Sequence, residues 1–231
     1  MTSRLTRIAP GSPPANAPVH PVLWVIAGSW AAIELLLNLA DAGYGPPQMQ
    51  RHVVYWTYGF NDRVFEFARS GNGVPTQLLV GTVTHAFLHG GWLHLALNGA
   101  AFLGLGHAIS RDAGIWPTVA IFLLTAAAGA LTFGLVATSY VPLVGASGAV
   151  FGLLGTLTAW QERWLAEQGA SRQPIWMRVA GVIAINVVMA FGFGGFAIAW
   201  QAHLGGFAAG WLLAYAFPPR LRERRARARF L

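Results

Sequence analysis

Apolar residues run along this chain in long blocks, and six of them, 21–40, 91–109, 116–138, 142–161, 176–197 and 199–217, approach the roughly 20 residues a helix needs to cross a bilayer. No acidic or basic side chain occurs between Ile115 and Gln161. The pattern predicts an all-α membrane protein of six transmembrane helices. Four of the five connections are short, which makes neighbouring helices antiparallel. The exception is 41–84, where Pro and Gly breaks alternate with Tyr55, Trp56, Tyr58, Phe60, Phe65 and Phe67. Such aromatics favour the lipid headgroup level. The loop is predicted to lie partly in the outer leaflet as short helical pieces, because extended unpaired backbone is costly there. The organisation expected is a polar N-terminal tail over 1–20, one helical domain over 21–217 and a basic tail over 218–231, with no internal repeat and no second domain.

Composition strengthens this reading. Of 231 residues, 55% are hydrophobic and 10% charged, against roughly one quarter charged in soluble domains. Many of the glycines fall inside the apolar blocks, as in helices that pack closely in lipid. The absence of cysteine excludes disulfides, a thiolate nucleophile and a thiolate metal site. The first apolar run is too long for a signal-peptide core and is predicted to remain as the first helix.

Charge sets the orientation. All fifteen basic residues are arginine. With the N-terminus inside, Arg4, Arg7, Arg111, Arg163, Arg172, Arg178 and the six arginines from Arg220 to Arg229 collect on the cytoplasmic side, as the positive-inside rule requires. Arg51, Arg63 and Arg69 remain outside, balanced by Asp41, Asp62 and Glu66. Both termini are therefore expected in the cytoplasm. The arginine tail follows a membrane helix directly, the setting of a topology anchor that contacts anionic lipid rather than of a nucleic-acid site. Abundant Arg and Ala without Lys suggests a GC-rich bacterial source, hence a multi-pass protein of the bacterial inner membrane.

Polar residues inside the apolar blocks carry the candidate chemistry. Glu34 and Asn38 stand one turn apart in the first helix. A lone membrane carboxylate with neither a second acid nor a basic partner makes a poor proton relay, so a structural role is expected for both. Asn186 is read as helix-to-helix glue. The segment "THAFLHGGWLHLALNGAAF" holds His85, His89, His94 and Asn98, the last two on one helix face. Ser147 lies in "VGASGAVFG" and His203 in "WQAHLGGFAAG". In the derived topology Ser147, His203 and His94 all fall toward the outer ends of their helices.

Gly206 and Gly210 follow His203 on one face with a GxxxG spacing that lets another helix backbone approach. Phe151, Leu154 and Gly155 continue a stripe from Ser147. If those faces meet, the hydroxyl and the imidazole come within hydrogen-bond reach, and neutral histidine is suited to take a serine proton. Asp41, Asp62 and Asp112 lie in loops and Glu34 has no spacing relation to His203, so a dyad rather than a triad is expected. His94, Asn98 and the Ser147 N–H are candidate oxyanion donors, each typically worth ~3 kcal/mol of barrier.

Together "HGGWLHLALN", "GASGAVFG" and "AHLGGFAAG" resemble the HxxxN, GxSG and AHxxGxxxG motifs of the rhomboid intramembrane serine proteases, over about 85–217. The resemblance implies a six-helix bundle, Ser147 as nucleophile, His203 as general base, and His94 and Asn98 as oxyanion donors. It also implies a supporting role for His89, motif glycines at Gly145, Gly148, Gly206 and Gly210, and a ring at Phe151 packed on the catalytic histidine. One departure concerns the Trp-Arg that many rhomboids carry upstream of the histidine segment. Here that place reads "LVGTVTHAF", with Val80 and Gly81.

The implied reaction is hydrolysis of a peptide bond in or beside the transmembrane helix of another membrane protein, with no cofactor and no metal. The substrate helix must unwind first, which helix-breaking residues make easier. The fifth helix and "FGFGG", 191–195, are expected to gate access. The alternatives weighed are an inactive relative that binds membrane clients, a metalloprotease and a transporter. The first usually lacks the serine or histidine present here. The second lacks HExxH, and 89 and 94 do not share a helical face. The third leaves the motifs unexplained.

Overall fold

A computed structural model describes residues 17–137, 141–191 and 199–219. The arginine tail with its expected lipid contacts, most of the N-terminal tail and the gating stretch beyond Phe191 lie outside the described residues. The regular elements among these residues are helices: α1 (Pro21–Asp41), α2 (Arg51–Tyr58), α3 (Asp62–Arg69), α4 (Thr76–Thr84), α5 (Trp92–Asp112), α6 (Ile115–Val136), α7 (Ser147–Glu167), α8 (Gln173–Phe191) and α9 (Trp200–Ala216). Single 3₁₀ turns at Pro47–Met49 and His85–Phe87 complete the long connection. Among the described residues α1, α5 and α6 are long and apolar enough to cross a membrane. The connection breaks into short helices, as expected, because each satisfies its own backbone where Pro and Gly interrupt the run.

The fourth predicted span shifts along the chain, to Ser147–Glu167. The block 142–161 reads as helix from its first residue, but α7 begins at Ser147. Leu143 instead exchanges backbone hydrogen bonds with Phe60, at 3.1 and 2.8 Å, and Gly145 sits at φ +116. The apolar run thus enters as an extended strap that pins the long 41–84 connection before the helix starts.

Small residues set the packing of α6, α7 and α9. A Cβ added to Gly206 would lie 1.9 Å from the Gly148 carbonyl oxygen, and one on Gly210 would lie 1.8 Å from that of Gly152. No side chain fits at either position, so the two backbones touch through the GxxxG face. Thr156 reinforces the seam by donating to the Gly210 carbonyl at 2.9 Å, and at the opposite end Arg163 donates to the Ala214 carbonyl at 3.0 Å. Beside this seam Trp30, Phe102 and Phe122 form a buried aromatic cluster, with centroids 5.0 Å apart for Trp30–Phe102 and for Phe102–Phe122.

Glu34 has the basic partner that the sequence reading denied it. Arg51 reaches in from α2 and forks onto both carboxylate oxygens, at 2.9 and 3.1 Å, while Asn38 donates to Glu34 Oε1 at 3.0 Å. Arg51 also bonds Asp41 twice, through its backbone N–H and Nε at 2.9 and 3.0 Å. Burial works to lower the Arg51 pKa, but the hydrogen bonds to Glu34 and Tyr55 outweigh it and hold the guanidinium above its ordinary value. The structural role expected for Glu34 and Asn38 stands, as a clamp joining α1 to α2 in the long connection. Arg51→Met is expected to cost about 3 kcal/mol, because Glu34 would stay buried without a counter-charge. Thermal unfolding in detergent reads the loss. Pairing it with Glu34→Leu should recover most of it, since no charge is then stranded; a double variant as unstable as the single would contradict this account.

Candidate active site

The N-terminal ends of α5, α7 and α9 meet at the end of the bundle where the strap and the long 41–84 connection lie. Ser147 is the first residue of α7, and its Oγ stands 2.8 Å from Nε2 of His203 on α9. The Phe151 ring, one turn along α7, stacks on the His203 ring at 4.4 Å between centroids and 15° between planes. His203 is 2% exposed, so its ring is held by protein contacts rather than by water.

Gly145 brings α5 to the same place. A Cβ there would lie 2.6 Å from His94 Cε1 and 2.9 Å from Nε2, and the backbone conformation is one that L side chains rarely adopt. Its N–H donates to the His85 carbonyl at 2.9 Å, and His85 Nδ1 lies 3.0 Å from the Gly81 carbonyl oxygen. His85 therefore buttresses the strap.

The Gly90 N–H donates to His94 Nδ1 at 3.2 Å. This makes Nδ1 the acceptor and Nε2 the N–H donor on the Gly145 side. The carbonyl of the same 89–90 peptide accepts from Arg51 at 3.1 Å and from the Tyr55 hydroxyl. The clamp on Glu34 thus also orients the peptide that sets the His94 tautomer. The His89 ring packs 5.0 Å from Trp30 and 5.3 Å from His94, and its nitrogens find no partner among the described residues. Asn98 is buried, with its Nδ2 likewise without a partner among the described residues. No side chain caps the first turn of α7, leaving its N–H groups open at the positive end of the helix.

Among the motif residues Ser147 bonds His203, Phe151 stacks on that ring and Gly145 lies against His94, while two residues outside the motifs, Asn186 and Arg51, also bear on the site. Asn186 on α8 does act across helices, but its partner is the His203 ring: Oδ1 lies 2.9 Å from Nδ1. The available signal was its isolation as the one strongly hydrogen-bonding side chain between Arg178 and Phe191. Arg51 had no such signal, since one loop arginine looks like another. At the place of the missing Trp-Arg, a Cβ on Gly81 would come within 2.6 Å of the Gly59 carbonyl oxygen. An arginine there would not fit; α4 docks the loop by backbone contact instead.

Apolar helices long enough to cross a membrane, with a serine–histidine hydrogen bond where the N-terminal ends of α7 and α9 lie side by side, describe a multi-pass membrane protein. The chain belongs to the rhomboid family: the Rhomboid domain model matches residues 77–220. It is 31% identical over 132 residues to RHOMBOID-like protein 4 of Arabidopsis thaliana, covering 56% of this chain and 32% of that protein. With the rhomboid protease GluP of Bacillus subtilis (strain 168) it shares 32% identity over 137 residues, 58% of this chain and 25% of that protein. An uncharacterised Mycobacterium tuberculosis protein is 30% identical over 179 residues, 68% of this chain and 67% of its own length. The chain thus spans a third or less of the length of the first two.

Proposed function

We propose that the chain is an intramembrane serine endopeptidase that cuts transmembrane segments of other membrane proteins, as a six-span bundle of a bacterial inner membrane with both termini cytoplasmic. The observation that carries this reading is the 2.8 Å hydrogen bond from Ser147 Oγ to His203 Nε2, under the stacked Phe151 ring. His203 takes the hydroxyl proton as Oγ attacks the scissile carbonyl, and later gives it to the leaving amine. A water then releases the acyl group from Ser147 by the same base. The negative charge that develops on the carbonyl oxygen is received by the Ser147 N–H, His94 Nε2–H and Asn98 Nδ2, donors already oriented before substrate arrives. That Asn98 Nδ2 has no partner among the described residues supports this role, because a buried amide donor without a bond costs stability unless function uses it. His89 packs on His94 and supports the turn that leads into α5. The arginine tail serves as a lipid anchor rather than a nucleic-acid site.

Cleavage of a reporter transmembrane substrate in liposomes tests the reading. Wild type is expected to cut, and His203→Ala to cut about 10⁶-fold more slowly, because losing either member of a nucleophile–base unit costs nearly the whole of it. Unchanged cleavage by His203→Ala would remove the histidine from the mechanism. Capture of membrane clients without cleavage by wild type would favour an inactive, client-binding relative.

A further inference from the structure

The amide of Asn186 can face His203 in one orientation only. Its Nδ2 donates to the Val182 carbonyl one turn back on α8, at 2.8 Å, and an NH₂ group cannot accept a hydrogen bond. The atom presented to the histidine is therefore Oδ1, an acceptor 2.9 Å from Nδ1 that demands a proton there. With Nδ1 protonated, the neutral ring keeps its lone pair on Nε2, the nitrogen beside Ser147 Oγ. Asn186 is 3% exposed, so bulk water does not substitute for it.

Resting on the Ser147–His203 reading above, we propose that Asn186 is the positioning residue of the catalytic base, completing a Ser147–His203–Asn186 relay across three helices. Its oxygen fixes the tautomer in which Nε2 can accept the serine proton, and it stabilises the Nδ1–H of the imidazolium that follows. The first role is the one a buried carboxylate fills in the Ser-His-Asp triad; a neutral amide orients the ring without adding charge to an apolar site. The relay also ties catalysis to the seating of α8. Val182 and Asn186 are the only buried side chains between Trp176 and Val188, so the base is aligned only while this helix lies against α9.

Two substitutions separate positioning from packing. Asn186→Leu keeps the approximate volume and removes the acceptor; Asn186→Asp keeps an acceptor toward Nδ1. Without the acceptor the ring is expected to settle as the Nε2–H tautomer, which donates to Ser147 and has no lone pair left for its proton. The ¹⁵N shifts of the His203 ring, assigned through the signal lost in His203→Ala, should report Nδ1–H in wild type and in Asn186→Asp, and Nε2–H in Asn186→Leu. Labelling of Ser147 by a fluorophosphonate and kcat for the reporter should fall about 10²-fold in Asn186→Leu at unchanged KM, with at least tenfold recovered in Asn186→Asp. Wild-type kinetics in Asn186→Leu, equal losses in both variants, or an Nε2–H ring in wild type would each overturn the proposal. A wild type that shows the Nδ1–H ring yet neither labels nor cleaves would overturn the protease reading instead, leaving the assignment of the tautomer to Asn186 intact.

Discussion

Ser147→Ala is expected to abolish cleavage of a transmembrane reporter, by about 10⁶-fold where a serine nucleophile acts as one unit with its base. The fold should be untouched. Among the described residues the Ser147 side chain bonds His203 and no other side chain, and the seam of α7 with α9 is made by the Gly148 and Gly152 carbonyls, which the substitution leaves in place. Unfolding temperature in detergent should match wild type, and fluorophosphonate labelling should vanish along with cleavage. Residual labelling at another serine, or cleavage that survives the substitution, would place the nucleophile elsewhere.

Gly206→Ala is the second large effect, and it acts through the fold. The added methyl carbon would sit 1.9 Å from the Gly148 carbonyl oxygen, a backbone atom at the start of α7 that cannot rotate aside. Relief requires α7 and α9 to separate, which pulls Ser147 from His203 and opens the contacts around Gly210. A loss above ~4 kcal/mol is expected, the range reached only by core overpacking and comparable defects. Gly104→Ala is the matched control: nothing lies within 4 Å of its added Cβ. Thermal unfolding and fluorophosphonate labelling should both collapse for Gly206→Ala and stay near wild type for Gly104→Ala. A Gly206→Ala protein that unfolds and labels like wild type would mean that the helices do not approach so closely.

Much of the seam was legible before any coordinates. Gly206 and Gly210 share a face by period alone, and Ser147 with Phe151 shares another, so their meeting needed only the two faces to pack. The stack of Phe151 on His203 follows from that meeting. The start of α7 was not legible, because hydropathy cannot tell an extended apolar strap from the first turn of an apolar helix. Leu143 is apolar in either conformation; it is the pairing with Phe60, from a loop some eighty residues earlier, that makes the strap.

The sequence by itself determined the membrane class, the helical organisation and the identity of the motif residues, because these depend on local apolar length and on spacing within single helices. Tertiary structure alone decided what those residues bond to. Glu34 looked solitary until Arg51 arrived from the long 41–84 connection, and Asn186 looked like ordinary glue until α8 lay beside α9. In both cases a polar side chain in apolar surroundings must find a partner, and that requirement is visible in one dimension. Which partner it finds depends on the packing of separate helices, a property of the folded chain that no local pattern encodes.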